Sequence, residues 1–264
     1  MEENKEWINY YKDKIKFPVK FYNKENGFLG IVSMLNDKLV FCSKLIALIE
    51  DEEHNPEEKF HANIIRTLFK GSEDGLREIF KTINTEDKTY SLIFEIVDME
   101  NDPHLIRYNK NQITLLDIVE NTLEYTNILS YTDLVKYAIP IVKETKDLVI
   151  KVKEPKETAY NFDEMLNIVD KIREEKYNEG RVAVDSDGFM FKVKTDHYND
   201  RKQLRYRIEG YKRKVERMLA EGKEVPVMEE LRADNIQLFV RSVDLTRLME
   251  SPMIELVEEY ETMH

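Results

Sequence analysis

The chain has 264 residues, 42% of them hydrophobic, enough for a folded core in one large domain or in a main domain with a small appendage. Its formal charge of −12 at pH 7 excludes generic coating of nucleic acid, which rests on clustered cations, so any nucleic-acid contact is expected at a local basic patch. One cysteine, Cys42, excludes a disulfide framework and a cysteine-based zinc site, and with no apolar run of about 18 residues and no secretion signal a cytoplasmic protein is expected.

Residues 1–15, charged and carrying Trp7, Tyr10 and Tyr11, predict a short helix. From Phe17 to Lys44 the pattern is β: FPVKFYN, GFLGIVSML and, after a turn at Asn36-Asp37, LVFCSK. A helix is predicted from Asn55 to Lys70, with Pro56 near its first turn, Phe60, Ile64, Ile65 and Leu68 along one face, and Gly71 closing it. A second spans Glu73 to Thr82. Two buried strands follow, YSLIFEIVD and, past the Asn101-Asp102-Pro103 turn, HLIRYNKNQITLLDIVE. Ser130 or Thr132 caps a helix reaching Lys146, VIKVK reads as a strand, and Asn161 or Asp163 caps a helix to Lys176. RVAVD and FMFKVK, joined through Ser186-Asp187-Gly188, form a hairpin. Everything from Asn199 onward reads as helical and highly charged. Strands interrupted by inserted helices point to an α+β fold with an antiparallel sheet, and the lack of a glycine-rich phosphate loop argues against a Walker or Rossmann domain.

Chemistry gathers around Lys24-Glu25-Asn26-Gly27. A lysine three residues before a glycine can hold an amine beside a closely approaching backbone, but the spacing is common, and Arg207-Ile208-Glu209-Gly210 repeats it. Its weight comes from partners: Ser43-Lys44, Glu95 in LIFEIVD, Glu179-Gly180 opening the hairpin, and Lys192-Val193-Lys194 closing it. Period two along a strand puts Lys192 and Lys194 on one face, where both can address one anion. The hairpin returns them toward Glu179. Two carboxylates and several lysines suit adenylate transfer, in which a divalent metal and cations neutralise a triphosphate while one lysine attacks the α-phosphorus. His54 and His61 read as a solvated loop and helix rather than a metal pair, and Cys42 as a core residue.

In this order, KENG, SK, FEIV followed by LIRYNKNQITLLDI, and EGRVAV…GFMFKVKTDHY resemble the motifs of the phage-type RNA ligases, the RNA ligase 1-like branch of the ATP-dependent covalent nucleotidyltransferases. The resemblance covers residues 20–198, and the hairpin is its most specific part. It implies an antiparallel-sheet adenylation domain over residues 1–198, a small helical C-terminal domain over residues 199–264, and ATP with Mg²⁺ or Mn²⁺ as cofactors. Lys24 would carry the covalent AMP, Glu25 would meet the adenine edge through its backbone, and Gly27 would belong to the ATP site. Lys44 would face phosphate, Glu95 would hold the ribose or a metal, and Glu179 would bind the catalytic metal. Lys192 and Lys194 would activate the α-phosphate and the pyrophosphate leaving group. Tyr198 matches a tyrosine of the pattern. The implied activity is an RNA ligase sealing 5′-phosphate and 3′-hydroxyl ends, with tRNA repair as one setting.

One departure stands out. The family sets an arginine-containing segment and a KFFN-like stretch well before the nucleophile, whereas here Lys20-Phe21-Tyr22-Asn23 abuts Lys24, with 23 residues before it. The alternative reading is therefore a nucleotide- or RNA-binding module that keeps the fold and has lost self-adenylylation. Beyond the hairpin, Asp200 to Arg217 is the one basic island, where Arg201, Arg205 and Arg213 are expected to contact the RNA backbone. A solvated helix face laced by i,i+4 pairs is the competing reading.

Overall fold

The computed structural model describes residues 12–53, 55, 57, 59–123, 128–223, 239, 243 and 245–263. The chain divides into two compact units, one of Met1–Lys24, Pro103–Arg107 and Glu157–His264, the other of Glu25–Asp102 and Tyr108–Lys156. The helix expected over residues 1–15 falls largely outside the described residues, as do His54 and Pro56.

The second unit is built on a seven-stranded sheet. Its elements are β2 (Phe28–Leu35), β3 (Lys38–Cys42), β4 (Ala47–Ile49), α1 (Phe60–Leu68), α2 (Glu73–Ile83), β5 (Tyr90–Val97), β6 (Asn111–Glu120), α3 (Tyr131–Ala138), β7 (Lys143–Glu144) and β8 (Leu148–Val152). The strand order is β4-β3-β2-β5-β6-β8-β7, antiparallel except where β6 runs parallel to β8. Asn36 and Asp37 both take positive φ, the twist a two-residue hairpin loop needs. One sheet face buries Val32, Phe41, Leu92, Phe94 and Leu115 against Ile65 and Phe69 of the α1 region and Leu76, Ile79 and Phe80 of α2. The register shift between Ile93 and Phe94 lets Leu116 of β6 bulge, so the other face carries Glu95, Thr114 and Asp117.

The first unit holds a four-stranded sheet ordered β11-β10-β1-β9, from β1 (Val19–Asn23), β9 (Pro155–Ala159), β10 (Gly180–Val184) and β11 (Met190–Lys194). Its helices are α4 (Phe162–Glu174), α5 (Asp196–Ala220), α6 (Leu245–Glu250) and α7 (Met253–Met263). Val19, Phe21, Ala183, Phe191 and Val193 point inward onto Met165, Val169 and Ile172 of α4. Asn161 caps α4 by accepting from Glu164 N–H, and Thr195 caps α5 by accepting from Tyr198 N–H. The buried Asp185 carboxylate organises the β10–β11 turn by accepting from the N–H groups of Asp187, Phe189 and Lys16.

The α+β class with antiparallel-rich sheets matches the sequence reading. Several boundaries differ. β6 begins at Asn111 rather than near His104, and α3 stops at Ala138, two residues before Pro140, which has no N–H to continue the helical hydrogen bonds. The short strands β4, β7 and β9 were not expected. Tyr198 and Asn199, on either side of the sequence-drawn domain boundary, both lie in the first turn of α5.

Candidate active site

In the first unit, the hairpin and β1 assemble one charged cluster. Phe191 and Val193 turn inward, which leaves Lys192 and Lys194 on the outer face of β11. Register pairs Lys194 with Gly180 across the hairpin, next to Glu179. Gly180 has φ +133°, and a Cβ there would lie 2.0 Å from the Val193 carbonyl oxygen, so only glycine fits. The Lys24 N–H donates to the Gly180 carbonyl at 3.0 Å, fixing the end of β1 beside the start of β10. A single carboxylate oxygen, Glu179 Oε1, then stands 3.0 Å from Lys24 Nζ and 2.8 Å from Lys194 Nζ. Glu179 is 3% exposed, while Lys24 and Lys194 are 18% and 26% exposed and still reach solvent. Lys194 Nζ also sits 4.6 Å from the centre of the buried Tyr198 ring, a cation–π contact that positions the ammonium. Two cations on one anion give these three side chains a net positive charge.

In the second unit, each residue after Lys24 has its own partner. Glu25, buried, accepts from Lys151 Nζ at 2.9 Å; the Asn26 N–H donates to Tyr108 Oη at 2.7 Å; the Gly27 N–H donates to Glu95 Oε1 at 3.0 Å. A Cβ on Gly27 would lie 2.0 Å from the Ile96 carbonyl oxygen. The close approach that demands glycine here therefore comes from strand β5. The second basic-x-x-Gly, ending at Gly210, lies mid-helix in α5, where an added methyl group would have no neighbour within 4 Å. Register places Leu29, Glu95, Thr114 and Lys151 opposite one another across β2, β5, β6 and β8, hence on one sheet face. Thr114 Oγ1 is buried there without a hydrogen-bond partner.

Lys24, Glu179 and Lys194 are thus brought together, and Glu25, Gly27 and Glu95 belong to a second set. Lys192 shares the face of Lys194 and is exposed; Lys44 is exposed in the turn after β3. The basic island splits by helix face. Tyr198, Arg201, Leu204, Ile208 and Val215 form the buried side of α5. Arg201, 4% exposed, faces Glu258 and Glu261 of α7 at 3.4 and 3.2 Å. Burial between two acids turns this guanidinium away from solvent, so it joins α5 to α7 rather than presenting itself to a phosphate. Arg205 pairs with Glu209 one turn on, and the Arg213 side chain is exposed. Sequence reasoning missed Lys151, Tyr108 and Thr114; the lysines at alternate positions of the run VIKVK, Lys151 and Lys153, were an available signal. His61 meets Asp102 at 3.2 Å, and no group of three or more potential metal ligands occurs among the described residues.

These features fit a phosphate-bearing ligand and a weakly ligated divalent ion. Mg²⁺ is commonly held by one or two carboxylates together with substrate phosphates, so a carboxylate such as Glu179 would need a bound phosphate ligand to complete a site. The orphaned Thr114 hydroxyl, set between a carboxylate and an ammonium on its sheet face, suits a polar ligand group.

The two sheets and their helices define an α+β nucleotidyltransferase fold. Solved structures of an RNA ligase from Naegleria gruberi share it: two mutant forms with ATP and Mn, each at TM-score 0.51 and 15% identity, cover 74% of this chain and 54% and 55% of their own. The same ligase with PPi matches at TM-score 0.50 and 15% identity over 74% of this chain and 55% of that one. The chain spans about half the length of these relatives. No curated protein matches it. The family profile described as RNA ligase matches residues 1–198, and the chain belongs to that family, on its phage-type branch. Among the described residues no helix is long and apolar enough to cross a membrane.

Proposed function

We propose that this protein is an ATP-dependent RNA ligase that seals 5′-phosphate and 3′-hydroxyl RNA ends through a Lys24–AMP intermediate. The observation that carries the reading is the sharing of one Glu179 oxygen by Lys24 and Lys194, 170 positions apart in the chain. Lys24 Nζ, as the free amine, attacks the α-phosphorus of ATP; a P–N bond forms, the α–β bridging P–O bond breaks, and pyrophosphate leaves with the electron pair. An oxygen of the RNA 5′-phosphate next attacks the phosphorus of the adduct and releases the lysine. The 3′-hydroxyl of the other end then attacks the RNA 5′-phosphorus and expels AMP.

This chain's residues act by position and charge, as phosphoryl transfer requires. Lys194 and Lys192 neutralise charge developing on the α-phosphate and the leaving pyrophosphate. Lys44 faces phosphate. Glu25 meets adenine through its backbone, its carboxylate being held by Lys151, while Glu95 and Thr114 offer polar groups to the ribose. Glu179 would hold a divalent ion, with Glu95 the second candidate; a bound ion supplies charge neutralisation of the phosphates. RNA binds along the exposed side of α5 through Arg205 and Arg213, and a tRNA is one substrate of this kind.

Incubation with α-labelled ATP and Mg²⁺ or Mn²⁺ tests the proposal. The denatured native chain should carry label, Lys24→Ala should carry none, and Lys194→Ala should label at least about 100-fold more slowly. An unlabelled native chain, or an undiminished adduct in Lys24→Ala, would sink the reading. If pre-adenylylated RNA is nevertheless sealed, the module has lost its first step only. Reversing charge at Arg205 and Arg213 should weaken RNA binding and lower the slope of log affinity against log salt by about 1 for each phosphate no longer neutralised.

A further inference from the structure

Tyr177 stands two residues before Glu179 and is 75% exposed. Its φ is +62°, a left-handed conformation in which glycine or asparagine sits with little strain and a bulky side chain does not. The neighbouring residue is Asn178, so the chain has placed its large aromatic, rather than the tolerant residue, at the strained position. The segment is clamped on both sides. Thr195 Oγ1 donates to the Asn178 carbonyl at 3.0 Å, the Thr195 N–H donates to the Glu179 carbonyl at 3.2 Å, and the Lys24 N–H donates to the Gly180 carbonyl. One edge of the Tyr177 ring is braced by His197, with ring centres 5.2 Å apart and planes at 60°. His197 Nδ1 is buried without a hydrogen-bond partner, and the ring packs against the tyrosine. Burial explains little of the arrangement, because most of the tyrosine faces water. Strain kept at an exposed aromatic on a rigid segment is the expected cost of presenting a ring to a ligand.

We infer that Tyr177 is a stacking platform for a nucleobase of the RNA substrate, at the nucleotide whose phosphate is received by Lys24 and Lys194. This rests on the ligase reading above, in which the adenine of ATP belongs to the Glu25 side. Two residues of backbone span at most about 7 Å, so the platform starts close to Glu179, whose carboxylate gathers the two lysines. Cations for an RNA backbone stand beside the local acids Glu174, Glu175 and Glu179: Lys176 precedes the tyrosine, Lys192 and Lys194 close the hairpin, and the basic helix α5 starts at Asp196. An aromatic face stacks on any base, so the platform confers affinity for an end without selecting its sequence.

Fluorescence anisotropy with a 5′-phosphorylated single-stranded RNA, dye-labelled at its 3′ end, tests this on the full chain. Tyr177→Ala should weaken binding about fivefold to 150-fold, the range for one stacked base, while Tyr177→Phe stays within twofold of native. Tyr177→Gly, which relieves the strained φ, should bind as poorly as Tyr177→Ala yet melt no lower than native. An RNA whose 5′-terminal nucleotide is abasic should bind native protein and Tyr177→Ala equally. Binding by Tyr177→Ala within twofold of native, an equal loss in Tyr177→Phe, or a loss for ATP in place of RNA would each overturn the inference. The labelled-ATP experiment on the native chain judges the ligase reading separately: Tyr177-dependent RNA binding without any lysine adduct would remove that reading and keep this platform.

Discussion

Replacing Glu179 by glutamine keeps the side-chain shape and removes the charge that holds the ammoniums of Lys24 and Lys194 at one oxygen, 3.0 and 2.8 Å away. Breaking a fully buried pair costs about 3–5 kcal/mol; here both lysines reach solvent, so the expected loss is about 1–3 kcal/mol. Lys194→Met should cost less, because Glu179 retains Lys24. Urea midpoints for the two variants, compared at one pH, check that order, and an equal or inverted ranking would show that the carboxylate does not hold the cluster. Gly180→Ala is predicted to be far worse, above about 3 kcal/mol, since its methyl would meet the Val193 carbonyl and its φ of +133° strains any other residue. At this scale the sequence was partly legible. Glu179 and Lys194 could be named together because hairpin register follows from turn length, and Lys24 joined them only through the motif resemblance, whereas Lys151 could not be matched to Glu25. Their meeting depends on the parallel pairing of β6 with β8, which no local pattern encodes.

Helix α5 shows how one element carries several constraints. Its buried positions follow the helical period, so its basic residues divide into Arg201, enclosed with Glu258 and Glu261, and outward cations such as Arg213. A count of charges conceals that division; a helical wheel drawn on the sequence would have exposed it. Gly210 sits in the helix interior facing open space, so Gly210→Ala should raise stability by about 0.5–1 kcal/mol, measured by urea unfolding. Burial holds the His197 imidazole below its ordinary value; Arg201 and Lys176 act in the same direction, and Glu261 and Asp200 oppose them. The unfolded chain therefore takes up the proton more readily. The stability this histidine contributes is complete above about pH 6.5 and is lost as pH falls toward the native value. His197→Phe should flatten the decline in urea midpoint between pH 7 and pH 5; an unchanged slope would refute the assignment. Among strands, YSLIFEIV was legible because core residues alternate with Ile93 and Glu95. PKETA was not, since its composition reads as loop and it becomes a strand only through pairing at the free edge of β1.

The whole molecule is assembled from interleaved stretches of chain. The seven-stranded sheet draws its strands from residues 28–152, and its β2–β3–β4 and β5–β6 pairings join strands consecutive in sequence. The four-stranded sheet instead inserts β1, from residues 19–23, between β9 at residues 155–159 and β10 at residues 180–184. Closing so long a loop precedes any gain from pairing, so amides of β5 and β6 should become protected before those of β1 in pulsed hydrogen exchange during refolding. Simultaneous protection would contradict this order. A polypeptide still leaving the ribosome exposes Lys24 early and receives Glu179 and Lys194 only when the hairpin emerges. Nascent chains that stop short of the hairpin therefore present Lys24 without the carboxylate and the second ammonium that meet it in the finished fold.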